Sequence, residues 1–435
     1  MFVSIPSKPQ QWNPLLDGGQ SQPALASIHE IAAALEDHLE ARQHSPKQRT
    51  YLGEGTAGIA IFFAYLHAAG LSPKRELALE CLNLSTDALA TQIMEPSLFA
   101  GFSGIAWAAQ HISSLFASPD DLGEDIELAL QTWLNRSPWK EDYDLINGLA
   151  GIGVYCLERS RSPAAVRCLE LIVKRLGELA QPSQDELRWF TAPDLLPQQQ
   201  REMCPRGYYN LGLAHGMPGI IALLGKIYAA GIAQDEAGRM LSGAVTWLLR
   251  QQLPEGNHSS FAALLVPDGM PQDCRLAWCY GDAGIAAALL LAVGCTGTES
   301  WEKAALDIAR RAATRDPESC GVIDACFCHG SSGLAHIFNR IHHACGDEIF
   351  AAAARFWMQK TLQFRTPGDG AAGYSVMALN QAGQMEFQHR FGMIEGIAGI
   401  GLSLLAAISN VEPLWDRAFM VDIPPAVPSF PTPQP

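Results

Sequence analysis

Residues 55–70 read GTAGIAIFFAYLHAAG: two glycines three positions apart, then small and apolar side chains that would be buried on every face of a helix. The same pattern returns along the chain. The glycine pairs are Gly55/Gly58, Gly101/Gly104, Gly148/Gly151, Gly216/Gly219, Gly281/Gly284, Gly330/Gly333 and Gly396/Gly399. The later pairs continue as GIAWAAQHI, GIGVYCLE, GIIALLGKIYAAG, GIAAALLLAV, GLAHIFNRI and GIGLSLLAAI. One such motif means little, but seven copies identify an internal repeat. Glycine suits the position because, without a Cβ, the chain can turn sharply and the helix start can approach its neighbours.

Before most copies lies an amphipathic segment, such as IHEIAAALEDHLEAR, ELALECLNLSTDALATQI or EDIELALQTWLNR, which suits an outer layer with one wet face. The sequence therefore predicts an all-α fold, an α/α toroid: a double-layered ring of seven inner and seven outer helices. A closed ring buries the inner layer and leaves no unpaired end. An open solenoid would need a capping repeat with a polar outer face, and none is visible. The toroid domain is expected over residues 1–420. Inserts rich in Pro and Gly lie near 184–211, 253–276 and 364–393, each just before a glycine pair. They predict short irregular or β inserts at one end of the ring, for instance in SSFAALLVPDG and GYSVMALNQAGQMEFQHR. Long loops gathered at one end shape a substrate site. Residues 421–435 read as a Pro-rich, disordered tail.

The chain has 435 residues, 48% hydrophobic and 17% charged, the composition of a globular protein. A net charge of −15 argues against a nucleic-acid partner, because nothing would neutralise a phosphate backbone. The eleven cysteines are scattered through apolar segments and do not form a disulfide framework. The start, MFVSIPSKPQQWN, has no signal-peptide pattern. The apolar run from Ala283 to Cys295 falls short of the roughly 20 residues of a membrane helix. Together these features read as a cytoplasmic, reducing environment in which thiols stay available.

The residues just before each first glycine are, in order, Glu54, Ala100, Asn147, His215, Tyr280, His329 and Glu395. Cys279 and Cys328 lie one step earlier in neighbouring repeats. If the repeats are equivalent, these positions circle the mouth of the ring, and His215, Cys279, Tyr280, Cys328 and His329 converge. Two thiolates and one imidazole suit zinc, and three protein ligands leave the fourth position open, as in catalytic sites. A metal there would deprotonate an incoming thiol whose ordinary pKa is roughly 8.5. Cys274 and Cys326 are rival ligands close by, without the repeat-equivalent placement. For Glu54, Glu395 and Asp282, at helix starts, the expected role is capping.

The segments YLGEGTAGIA, YDLINGLAGI, LGLAHGMPGI, RLAWCYGDAGI, CFCHGSSGLAHI and MIEGIAGIGLSLL resemble the lanthionine synthetase C-like family, the lantibiotic cyclases, from about residue 51 to 405. The resemblance implies an α/α toroid with one zinc per chain held by Cys279, Cys328 and His329. It implies Michael addition of a peptide cysteine to dehydroalanine or dehydrobutyrine in a dehydrated precursor peptide, leaving a thioether ring. It makes His215 an acid/base and matches Asp144, Arg275 and Tyr280 to further active-site positions. Arg275 is suited to stabilise an enolate, and Asp144 to orient His215, pair with Arg275 or act as a cap. With no dehydratase or kinase-like domain visible, the chain resembles the standalone class I cyclases. That implies a monomer working beside a separate dehydratase and a membrane exporter, which would bring it to the inner membrane. Two rival readings are a prenyltransferase-type zinc thiol alkyltransferase and a non-catalytic glutathione- or peptide-binding relative.

Overall fold

Each glycine pair sits where a loop turns into an inner helix, and the reason is steric. At the second glycine a Cβ would overlap a backbone carbonyl six residues earlier, that of Leu52, Leu98, Leu145, Leu213, Trp278, Phe327 or Met393 in turn. The loop thus crosses the helix start at a distance only glycine permits. In the computed structural model, which describes residues 12–42, 49–117, 123–380 and 383–425, all seven of these carbonyl-bearing residues are buried.

The helices in chain order are α1 (Gly18–Arg42), α2 (Thr56–Ala68), α3 (Arg75–Thr91), α4 (Phe102–Leu115), α5 (Gly123–Leu134), α6 (Leu149–Glu158) and α7 (Pro163–Leu179). They continue as α8 (Gln198–Met203), α9 (Met217–Ala229), α10 (Gln234–Leu249), α11 (Asp282–Thr296), α12 (Glu299–Ala313), α13 (Ser331–Cys345), α14 (Glu348–Gln363) and α15 (Ile397–Ile408). The inner layer runs α2, α4, α6, α9, α11, α13, α15, each packed on the next, and α15 packs back on α2 to close the ring. Inner α2 is buried from Thr56 to Leu66. Outer α12 buries only Ala305, Ile308, Ala309 and Ala312, a stripe at helical spacing. The all-α toroid follows from these two patterns.

One detail differs from the sequence expectation. The outer partner follows its inner helix and does not precede it: α3 packs on α2, α7 on α6, α10 on α9, α12 on α11 and α14 on α13. The links explain this. Only Gly297 and Thr298 separate α11 from α12, and only Gly346 and Asp347 separate α13 from α14. Gly346 ends its helix at a φ of 72°, and the Asp347 carboxylate accepts the Ile349 amide 3.1 Å away to start the next. The odd helix, α1, packs on α15, so the first helix completes the last pair.

The inserts carry the strands. Strands β1 (Gln181–Ser183) and β2 (Glu186–Arg188) form one antiparallel hairpin. Strand β3 (Tyr209–Asn210) pairs with β4 (Leu264–Leu265), joining the first insert to the second. Strands β5 (Val376–Leu379) and β6 (Met385–Gln388) form the hairpin expected in the third. After α15 a 3-10 segment, Leu414–Phe419, inserts Trp415 and Phe419 into the core. Packing continues to Val421 and Ile423, within the stretch assigned to the tail, while 426–435 lie outside the described residues. Among the described residues no helix is long and apolar enough to cross a membrane.

Replacing Gly104 by Ala drives a Cβ into the Leu98 carbonyl and should cost about 1–3 kcal/mol in urea unfolding. Gly19→Ala, with open space around it, should change stability by less than about 0.5 kcal/mol.

Candidate active site and metal centre

Six of the residues two before a first glycine are tied into one chain by backbone hydrogen bonds around the mouth, and Leu145 of the third repeat joins it by donating to Ala214 C=O (3.1 Å). Gly53 N–H donates to Phe99 C=O (2.9 Å), Ala214 to Cys279 (3.3 Å), Cys279 to Cys328 (3.2 Å), Cys328 to Ile394 (3.0 Å) and Ile394 back to Gly53 (3.2 Å). Cys279 and Cys328 are therefore consecutive members of one belt, and the belt holds their backbones side by side.

The ligand atoms of Cys279, Cys328 and His329 all lie within 4.8 Å of one another. His329 Nε2 is 3.2 Å from Asp324 Oδ2, which leaves Nδ1 as the ring nitrogen for a metal. Asp324 is itself fixed, accepting the Cys326 amide on Oδ1 (3.0 Å) and the Met377 amide on Oδ2 (3.1 Å). Burial opposes a charged His329, but the Asp324 hydrogen bond and charge outweigh it and raise its pKa. Asp324, Cys326 and His329 form a second group of possible ligands. Asp324 there already serves two amides and an imidazole, and Cys326 accepts the His329 N–H at 3.5 Å. Only the first group has all three members on the main cavity, a space of about 860 Å³. The donor set of two sulfurs and one nitrogen, with a carboxylate behind the imidazole, fits a catalytic zinc ion. The Cys328 hydrogen bond, resisted by burial and helped by the positive charge of His329 and Arg275, holds the Cys279 thiol below the ordinary range.

His215, Arg275 and Tyr280 line the same cavity. Asp144 stands behind His215, its Oδ2 2.6 Å from His215 Nδ1, so Nε2 is the nitrogen free for chemistry. Its other oxygen accepts the amides of Asn147 (2.7 Å) and Gly148 (3.1 Å), so one carboxylate holds both the His215 ring and the loop leading into α6. Burial would lower the His215 pKa, but the Asp144 hydrogen bond and charge prevail and raise it. Among the described residues the Arg275 guanidinium has no carboxylate partner, and its side chain is exposed in the cavity. The Tyr280 hydroxyl accepts from Asn210 Nδ2 at 3.1 Å, and its ring lies 6.4 Å from that of His215.

A sequence model of the lanthionine synthetase C-like protein family matches residues 46–420. The chain belongs to this family. The nisin biosynthesis protein NisC of Lactococcus lactis subsp. lactis is 25% identical over 267 residues, 56% of this chain and 62% of that protein, so the match spans less than two thirds of the relative. The solved structure of a nisin cyclase superposes with a TM-score of 0.69 at 20% identity, covering 90% of this chain and 97% of that one. That likeness carries the toroid fold.

In this lanthionine synthetase C-like protein the remaining polar groups at the mouth do not cap their own helices. Glu54 Oε1 accepts the Glu395 amide of the adjoining last repeat at 3.2 Å, and burial with the Glu395 charge pushes Glu54 up to about 7. Asp282 accepts the amides of Ser260 (2.7 Å) and Phe261 (3.2 Å), pinning the second insert. The helix starts use backbone instead: Thr56, Phe102, Leu149, Ser331 and Ile397 donate to the carbonyls of Arg49, Glu95, Asp142, Asp324 and Arg390. Asp324 is the residue missed from the sequence. The signal was available six positions before each first glycine, where Arg49, Glu95, Asp142, Asn210, Arg275, Asp324 and Arg390 are all polar.

Because the folded His215 value is raised, its pair with Asp144 adds stability below the unfolded histidine value of 6.5. That contribution fades as pH climbs through the folded value. By NMR titration His215 should titrate above the ordinary histidine value in the wild type and distinctly lower in Asp144→Asn, where burial meets less compensating charge. An unchanged titration would show that Asp144 does not control the ring.

Proposed function

We propose that this chain is a zinc-dependent lanthipeptide cyclase that closes thioether rings in a dehydrated precursor peptide. The observation that carries the reading is the convergence of Cys279, Cys328 and His329 on one cavity that also holds His215. Bound by those three side chains, zinc would supply a Lewis acid that keeps a peptide thiol deprotonated at neutral pH.

The protein side chains handle the proton and the developing charge. The peptide sulfur bonds to the β-carbon of dehydroalanine or dehydrobutyrine, and the π pair moves toward the α-carbon and its carbonyl. A proton then reaches the α-carbon, so S–H is added across C=C with no change in mass. His215 Nε2 moves that proton, with Nδ1 held by Asp144. Arg275, without a carboxylate partner, stabilises the enolate oxygen. Tyr280, set by Asn210, orients substrate beside His215. The apolar wall of Leu264, Met377, Leu379 and Met385, contributed by two inserts, holds the peptide. The peptide would arrive already modified by a dehydratase, and a complex with that enzyme and an exporter would gather the chain at the membrane.

Metal analysis should find about one zinc per chain, largely lost in Cys279→Ala. Incubation with a dehydrated, cysteine-containing peptide should consume free thiols at constant mass. His215→Ala should slow this by roughly 10²–10⁴-fold while retaining the metal. A metal-free wild type, or unchanged thiols with every dehydrated peptide tried, would refute the reading.

A further inference from the structure

Beneath the metal ligands lies an aromatic cluster whose position in the repeat is specific. Three residues before the first glycine the chain has Leu52, Leu98, Leu145, Leu213, Trp278, Phe327 and Met393. Aromatic side chains occupy this place only in the repeats that carry Cys279 and Cys328, each directly preceding its cysteine. Both rings meet the same residue of the C-terminal 3-10 segment. Phe419 lies 5.1 Å from Trp278, edge to face, and 4.1 Å from Phe327. Its carbonyl also accepts the Trp278 indole N–H at 2.9 Å.

The segment is anchored. Asp416, fully buried, accepts from Arg340 Nε (2.6 Å) and Nη2 (3.0 Å), and His336 Nε2 is 2.8 Å from the same carboxylate. Arg340 and His336 lie on α13, the helix that starts just after His329. Trp415 packs on His336 (4.6 Å) and on Phe327 (5.5 Å, edge to face). The turn is thus clamped to the helix beneath one ligand pair while touching the residues under both sulfurs.

We propose that Leu414–Phe419 is a positioning element for the metal site, with Phe419 setting Trp278 and Phe327 and, through the adjoining backbone, the Cys279 and Cys328 sulfurs. A belt of backbone hydrogen bonds fixes the spacing of the two cysteines but not their tilt. Two aromatic rings levered against one buried side chain supply that second constraint. The C-terminal turn belongs to the site although it lies among the rings below the mouth. This inference rests on the metal reading given above.

The test compares Phe419→Leu with Phe350→Leu, a change of equal size at another fully buried phenylalanine, in outer helix α14. Cobalt(II) titration of full-length protein reads thiolate-to-metal and d–d absorption bands, and competition with a chelator reads zinc affinity. Phe419→Leu should weaken zinc binding about tenfold or more and shift the cobalt bands. Phe350→Leu should lower the melting temperature comparably but leave both as in the wild type. Trp278→Phe, which keeps the ring and removes the indole donor, should shift the bands in the same direction as Phe419→Leu. Equal affinities and superimposable spectra in all variants would overturn the proposal. A wild type that binds neither metal would instead refute the metal site itself.

Discussion

Everything in this protein depends on one steric fact: in each repeat a loop carbonyl occupies the space where the second glycine would carry a side chain. The contact brings the loop across the helix start and lets neighbouring loops touch. Leu52, Leu98, Leu145, Leu213, Phe327 and Met393 each place a Cβ against the second glycine of the next repeat, Met393 against that of the first. The loops thereby meet around the mouth, where backbone bonds tie most neighbours together, and the packing of α15 on α2 closes the ring. Apolar inner helices supply the bulk of the burial, but glycine decides that they can approach closely enough to close.

The chemistry is built on that geometry with little further structure. Cys279 and Cys328 share a repeat position on adjacent loops, so bringing the loops together brings the sulfurs together. Each histidine beside them is held by a buried carboxylate, His329 by Asp324 and His215 by Asp144. In both cases the carboxylate is first committed to backbone amides, which fixes its direction before it meets the imidazole. Orientation therefore passes from backbone to carboxylate to ring, and each histidine presents a defined nitrogen to the cavity.

Much of this was legible in the sequence, because a repeat converts position in the chain into position in space. The toroid, the inserts before the glycine pairs and the shared cavity of His215, Cys279, Tyr280, Cys328 and His329 follow from register, whereas Arg275 on the same cavity came from the family resemblance. The order of the layers was not legible, since the amphipathic segments look alike whether an inner helix precedes or follows them. The two-residue links at Gly297 and Gly346 decide it. Glu54 and Asp282 were misread as caps because a carboxylate at a helix start usually serves that helix. Here a loop carbonyl takes that role at five helix starts, and Glu54 and Asp282 bind amides of other segments. Asp324 went unnoticed because it lies outside the three positions nearest the glycine, although the polar register six residues upstream marks it.

The chemistry at the mouth depends on what Cys279, Cys328 and His329 hold. X-ray absorption at the zinc edge of the purified protein tests it most directly. The expected first shell has two sulfurs at about 2.3 Å and lighter atoms at about 2.0–2.1 Å, gaining a third sulfur when a dehydrated, cysteine-containing peptide is added. A shell with one sulfur or none, or one that keeps two sulfurs in the presence of such a peptide, would contradict it.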